Sequence, residues 1–284
     1  MSKIWTSYEF EPRYTDILTS LSGYPKDKII CIMPCYNTQD TIKKAIESII
    51  NQTHTNWELI IVDDASTDKS VKIIKKYLTD SRVTLLQNKT NRGCYYSRNR
   101  ALYHVKDKEW SFFTTHDADD TSTHDRFSIY INSFYQEKCE GILGTYSGKR
   151  WEITDDIPQI KYSKAKSSVG TSWYTYDTFK TFGYYYPNRF GSDSEYKERI
   201  LKLISATTSV ENFNEKVRDT LVYLNTEYAY TYTTDIPSTP SLTQSYTLSQ
   251  RQQYAQECED RHLSFTSVKD FYQNFEPHPE DITL

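Results

Sequence analysis

Apolar positions in this 284-residue chain fall in short blocks that stop abruptly on polar clusters. Ile29 to Met33 is an apolar run closed by Pro34, which predicts a short buried strand. After Thr41 the period changes. Ile42, Ala45, Ile46, Ile49 and Ile50 recur at helical spacing, with Asp40 placed as an N-cap. Trp57 to Val62 predicts a second strand, stopped by Asp63 and Asp64. Ser66, Thr67 and Asp68 then offer caps for a helix with Val71, Ile74 and Leu78 on its apolar face. The alternation continues with a strand at Val83 to Leu86, a helix at Cys94 to Val105 and a strand at Trp110 to Thr114.

The second half is less regular. Thr123 to Glu137 predicts a helix with Phe127, Ile131 and Phe134 on one face, and residues 141–154 an extended, Gly-broken stretch. Residues 155–190 predict loops around a further strand, Ser194 to Ile204 a helix, 231–248 a Thr/Ser/Pro-rich loop and 248–260 a closing helix. Short strands alternating with helices predict an α/β domain with a largely parallel sheet. Such sheets bind ligands outside the carboxyl ends of their strands. The polar clusters at 34–37, 63–66 and 117–120 all sit at those ends and would converge on one crevice.

Composition narrows the function classes. A net charge of -4 speaks against a basic nucleic-acid footprint. Aromatic residues reach 15% with 25 tyrosines, so tyrosine carries packing that Leu and Met supply elsewhere. Cys31, Cys35, Cys94, Cys139 and Cys258 are scattered without a CxxC pair, which fits reduced thiols. The first residues lack the apolar core of a signal peptide, and no run approaches the roughly 18 apolar residues of a membrane span. The expectation is a cytoplasmic chain with no transmembrane segment.

Asp117-Ala118-Asp119-Asp120 follows the apolar stretch Trp110 to Phe113 and places three carboxylates within four residues. Asp117 and Asp119 point to the same side of an extended segment and could hold one hard divalent ion. An acidic turn that caps the next helix is the other reading of the same four residues.

Five blocks then occur in order: Pro34-Cys35-Tyr36-Asn37; Val62 to Asp68; Asn91-Arg92-Gly93 with Ser97-Arg98-Asn99; Asp117 to Asp120; and Gly191-Ser192-Asp193-Ser194-Glu195 with Arg199 after it. Together, over roughly residues 28–200, they resemble the family 2 glycosyltransferases of the GT-A fold, whose α/β sheet is mostly parallel and flanked by helices. The resemblance implies an N-terminal extension at 1–27, a nucleotide-sugar-binding and catalytic domain at 28–205, and a C-terminal helical and loop region at 206–284 packed on the same domain. It implies a metal-dependent, inverting transfer of a hexosyl residue from a nucleotide sugar, a UDP-sugar first, to a hydroxyl of a glycan, glycolipid or protein. Mn²⁺ or Mg²⁺ would be the cofactor.

The site residues carry over from the same blocks. Pro34, Tyr36 and Asn37 would lie on the donor nucleotide, with Tyr36 stacking on the base. Asp64 would accept from the base N–H, and Asp63 would either join it or cap the following helix. Arg98 would contact the nucleotide. Asp117 and Ala118 would lie beside the ribose or the metal, with Asp119 a direct ligand and Asp120 either a ligand or one step behind it. Asp193 matches the family's catalytic base, with Glu195 the second candidate. Ala65 stands where glycine is commoner in the family, which a negative φ would allow. A non-catalytic sugar-binding module and a nucleotide-sugar hydrolase are the alternative readings, and the sequence leaves the oligomeric state open.

Overall fold

Ile29–Cys35 forms strand β1, and its unbroken apolar run needs cover on both faces of a sheet, because successive strand side chains point opposite ways. The computed structural model, which describes residues 27–136, 149–154, 157–160, 173–207, 230–233 and 247–282, supplies that cover. After β1 come α1 (Ile42–Ile50), β2 (Trp57–Asp63), α2 (Ser70–Ile74), β3 (Val83–Gln87), α3 (Cys94–Val105), β4 (Phe112–Thr115), β5 (Asp120–Ser122) and α4 (Arg126–Gln136). Then follow β6 (Lys149–Thr154), β7 (Ile157–Ile160), β8 (Trp173–Thr175), α5 (Tyr176–Phe182), α6 (Ser192–Thr207), β9 (Tyr230–Thr233) and α7 (Leu248–Leu263). Ile29, Cys31 and Met33 pack with Ile42, Ala45, Ile46 and Ile49 of α1 on one face, and Ile30 and Ile32 pack with Ala101, Leu102 and Val105 of α3 on the other.

The main sheet runs β3-β2-β1-β4-β8, with β1 to β4 parallel and β8 antiparallel at the edge. From β1 the chain steps outward to β2 and β3, and α3 then carries it back past β1 to β4. The order therefore reverses between β1 and β4, where open α/β sheets bind their ligands. A second sheet, β5-β9-β6-β7, starts at Asp120, directly after the acidic turn.

Several expected boundaries move. Thr41, not Asp40, is the N-cap of α1. Asp68 lies two residues before α2 and accepts from Ser70 N at 2.9 Å. Leu78 is 41% exposed, because α2 tightens into a 3-10 turn at 75–77 and shifts the helical phase. Trp110 precedes β4 and is fully buried, donating through Nε1 to the Val105 carbonyl at the end of α3 at 2.9 Å. The helix expected from Thr123 begins at Arg126, and residues 230–233 within the expected C-terminal loop are a strand. Residues 1–26, Cys139, most of the stretch before β6 and most of 231–248 lie outside the described residues. Cys31, Cys35, Cys94 and Cys258 are free thiols, and burial pushes Cys31 and Cys35 up to about 12, so these two are inert core thiols. Among the described residues, no helix is long and apolar enough to cross a membrane.

Two buried carboxylates tie distant segments together. Glu195 forms an ion pair with Arg199 at 2.9 Å and meets His262 of α7 at 3.0 Å. Arg199 also donates to the Phe182, Tyr184 and Phe271 carbonyls at 2.7, 2.9 and 3.0 Å. Asp281 accepts from Lys89 N, Arg92 Nε and Tyr96 Oη at 2.6, 2.9 and 2.8 Å, fixing the chain near its C-terminus against α3. Burial alone would raise both acids, but the hydrogen bonds and the Arg199 and Arg92 charges hold them below the usual carboxylate range.

Glu195→Ala is expected to lower the unfolding free energy by about 3 kcal/mol in urea titrations near neutral pH, at the low end for a broken buried pair because Arg199 keeps its carbonyl acceptors. Because these folded-state pKa values are depressed, their stabilisation is present above the unfolded values near about 4 and is lost as pH falls through the folded ones. Thermal melts across that range should show the variant losing less stability on acidification than the wild type. Equal losses would assign the acid sensitivity elsewhere.

Candidate active site

The loops leaving β1 and β2 are laced together by reciprocal hydrogen bonds. Asn37 N donates to Ser66 Oγ at 2.9 Å, and Asn37 Oδ1 accepts from Thr67 N at 2.8 Å. Thr38 N donates to Ser70 Oγ at 2.8 Å, and Gln39 N to Asp68 Oδ2 at 2.9 Å. The lacing requires left-handed backbone at Asn37 (φ +51°) and at Ala65 (φ +65°). Asparagine tolerates that region, whereas alanine's Cβ is strained there. The negative φ that would make alanine easy to accept at position 65 is therefore not met. Asn37 acts on the loop, its side-chain oxygen committed to Thr67, and leaves Tyr36 standing out with 39% of its surface exposed.

Asp63 and Asp64 divide. Asp63 accepts from Ser66 N at 3.3 Å and closes the turn after β2, with burial raising its pKa. Asp64 is 3% exposed and accepts from Asn88 Nδ2 (2.7 Å), Arg92 N (2.9 Å) and Gly93 N (2.7 Å). Its carboxylate thus shapes the 88–93 loop, for which Gly93 supplies a φ of +93°. Any contact with a base would be additional to these three bonds.

Arg98 is no surface residue. It is 4% exposed and pairs through Nη2 with Asp117 Oδ1 at 2.9 Å. Its guanidinium carbon also lies 5.1 Å from the centre of the Tyr95 ring, and the Tyr95 hydroxyl donates to Asp193. Asp193 is half-buried in the first turn of α6, after Gly191 with φ +73°. A Cβ at Gly191 would meet the Tyr254 ring at 2.9 Å, so α7 packs directly against the loop that presents Asp193. Glu195 is taken up by Arg199 and His262 and does not reach this surface, which removes it as a base.

The acidic block is a turn, with Asp120 N donating to the Asp117 carbonyl at 3.1 Å, but it leads into β5 rather than capping a helix. Ala118 is in the core, Asp119 is half-buried, and Asp120 is 1% exposed and paired in register with Thr233 of β9. Pro34 is half-buried near the end of strand β1, and Trp173, Tyr184 and Tyr185 are core residues. Sequence reasoning overlooked Tyr95 and Asn88 and left His262 unassigned; a tyrosine two residues after a helix-opening glycine gives no sign of a partner at position 193.

A five-stranded α/β sheet whose order reverses beside an acidic turn defines the GT-A class of fold. Solved structures agree: Staphylococcus aureus TarS 1-349 in complex with UDP-GlcNAc superposes with a TM-score of 0.55 at 20% identity, covering 78% of this chain and 62% of that one. At that identity the likeness is one of fold alone. The family described as Glycosyl transferase family 2 matches residues 30–197, and the chain belongs to that family. EpsE of Bacillus subtilis (strain 168) is 36% identical over 120 residues, 42% of each chain. The UDP-Glc:alpha-D-GlcNAc-diphosphoundecaprenol beta-1,3-glucosyltransferase WfgD of Escherichia coli is 33% identical over 116 residues, 40% of this chain and 44% of WfgD. These alignments span about half or less of the length of either relative.

Ala65→Gly should raise the unfolding free energy by about 1 kcal/mol, since it relieves the left-handed alanine. Chemical denaturation measures it, and a loss of stability would mean that the Ala65 methyl contributes more than its strain costs.

Proposed function

We propose that the chain is an inverting glycosyltransferase that moves a hexosyl residue from a UDP-sugar to an acceptor hydroxyl. The observation that carries this reading is the line Asp117–Arg98–Tyr95–Asp193, in which one turn of α3 spans from the acidic end of β4 to the carboxylate at the start of α6. The nucleotide would lie across the β1–β4 reversal, its base against Tyr36 and its diphosphate beside the acidic turn. Asp193 takes the proton of the acceptor hydroxyl as its oxygen bonds to the anomeric carbon. The bond from that carbon to the diphosphate oxygen breaks, and the electron pair leaves with UDP. Attack opposite the leaving group inverts the centre, by the logic of inverting glycosidases. The name of WfgD, which specifies UDP-Glc, supports the choice of nucleotide.

The donor set at the end of β4 fits a hard divalent ion of a particular kind. Among the described residues, no three His, Cys, Asp or Glu side chains gather into a metal cage. One or two carboxylates plus diphosphate oxygens is the usual arrangement for Mg²⁺, and Mn²⁺ shares its preference for oxygen. Asp119 and Asp117 would hold the ion, with Asp120 behind them. When bound it would neutralise charge on the departing diphosphate. Residues 28–205 would carry donor and catalysis, and 206–284 the acceptor side.

Asp193→Asn should reduce kcat about 10²- to 10⁴-fold with little change in donor KM, in assays supplying UDP-sugar, divalent ion and an acceptor glycan. Wild-type turnover in that variant would remove Asp193 from the base role. In thermal-shift titrations UDP with Mn²⁺ should stabilise the protein more than either alone, and Asp119→Asn should abolish the increment. An increment that persists in both Asp119→Asn and Asp120→Asn would sink the ligand assignment.

A further inference from the structure

Tyr95 is the second residue of α3 and only 6% exposed, so its hydroxyl needs an internal partner. That partner is Asp193 Oδ1, 98 residues away. The ring has little freedom to turn. It lies 5.8 Å from the Tyr185 ring, and Tyr185 is itself clamped to α3 by two reciprocal bonds with the Asn99 amide, each 2.8 Å. The Arg98 guanidinium also lies 5.1 Å from the ring centre and is itself fixed by Asp117.

We propose that Tyr95 is a positioning residue for the proposed reaction: its hydroxyl holds Asp193 by Oδ1 and turns Oδ2 toward the acceptor hydroxyl. The inference rests on reading Asp193 as the base. A carboxylate on a helix's first turn can rotate about two side-chain bonds, and a rigid donor on one oxygen removes that freedom. Tyr95 and Arg98 are three residues apart and share one face of α3. The same helical turn thus fixes Asp193 on the acceptor side and Asp117 on the donor side, and sets the spacing between them. The phenol suits the task. Burial, and then the Asp193 charge, raise its pKa well above the ordinary tyrosine value, so it stays protonated and donates throughout the working pH range.

Tyr95→Phe keeps the ring and its packing and removes only the donor. Asp193 is half-buried, so water can replace the lost bond and the variant should fold with a melting temperature near wild type. Its kcat should fall about ten- to a hundredfold, the scale of a misaligned catalytic group, while donor KM stays within about twofold. In an Asp193→Asn background the same change should cost nothing further, because the group it positions is gone. Wild-type kcat in Tyr95→Phe would overturn the proposal. So would a loss that recurs in full on top of Asp193→Asn, or one confined to KM, since a purely structural tyrosine would act in those ways. If Asp193→Asn alone keeps wild-type kcat, it is the base assignment that fails, whatever Tyr95→Phe does.

Discussion

Four consecutive polar side chains of α3, Ser97 to Arg100, are buried, and each is bonded to a segment outside the helix. Ser97 accepts from Asn88 after β3 at 3.0 Å, and Arg98 pairs with Asp117 after β4. Asn99 clamps the backbone of Tyr185, and Arg100 reaches Asn88 at 2.8 Å and the Asp281 carbonyl. Burying such groups without partners would cost several kcal/mol in total, roughly 1–3 for each. Their partners all come from outside the helix, so α3 can be buried only when the loops around the strand reversal are in place. That dependence makes the crevice part of the fold's own stability rather than an addition to it.

The same logic runs through the other loops at this edge. Asp64 has three donors from 88–93, the β1 and β2 loops exchange bonds through Asn37, Thr67 and Ser70, and Glu195 joins α6 to α7. Most of the polar residues at the strand ends therefore bond to other loops. Tyr36, which is exposed, and Asp117, Asp119 and Asp193, which are half-buried, adjoin this layer along the chain, and left-handed backbone at Asn37, Ala65, Gly93 and Gly191 is the conformational cost of holding it.

This distinction explains how far the sequence could be read. The alternation of apolar runs and helical periods from Ile29 to Thr115 gave the strand order's raw material, and Cys94 to Val105 was legible to the residue as α3. That the polar clusters would follow neighbouring parallel strands was also foreseeable, because strand ends in such sheets share one edge. The supporting partners were not. Tyr95 with Asp193, Glu195 with His262 and Arg92 with Asp281 are separated by 98, 67 and 189 positions, and no periodicity encodes contacts of that kind. Arg98 was expected on the nucleotide, and its burial against Asp117 was not legible because a helix so largely buried lacks the polar face that a sequence pattern would reveal. Leu78 misled for a different reason, since the 3-10 turn after Ile74 changes the period within one helical turn.

The three carboxylates at 117–120 illustrate how the fold resolves what spacing leaves open. Equal charges so close repel one another, and a fixed cation beside one of them relieves part of that repulsion. Arg98 supplies it to Asp117 from behind, on the α3 side. Asp120 is drawn into β5, where its backbone pairs with β9 and its side chain is enclosed. Between them Asp119 sits half-buried on the turn. In the proposed reaction this arrangement gives the acidic turn two cations in sequence, the permanent one on Asp117 and a divalent one brought with the diphosphate. The affinity for such an ion would then depend on the nucleotide, because one or two carboxylates are too few to complete its shell. A site built this way would assemble only in the presence of donor, while α3 bonds to Asp117 at one end of the line and to Asp193 at the other.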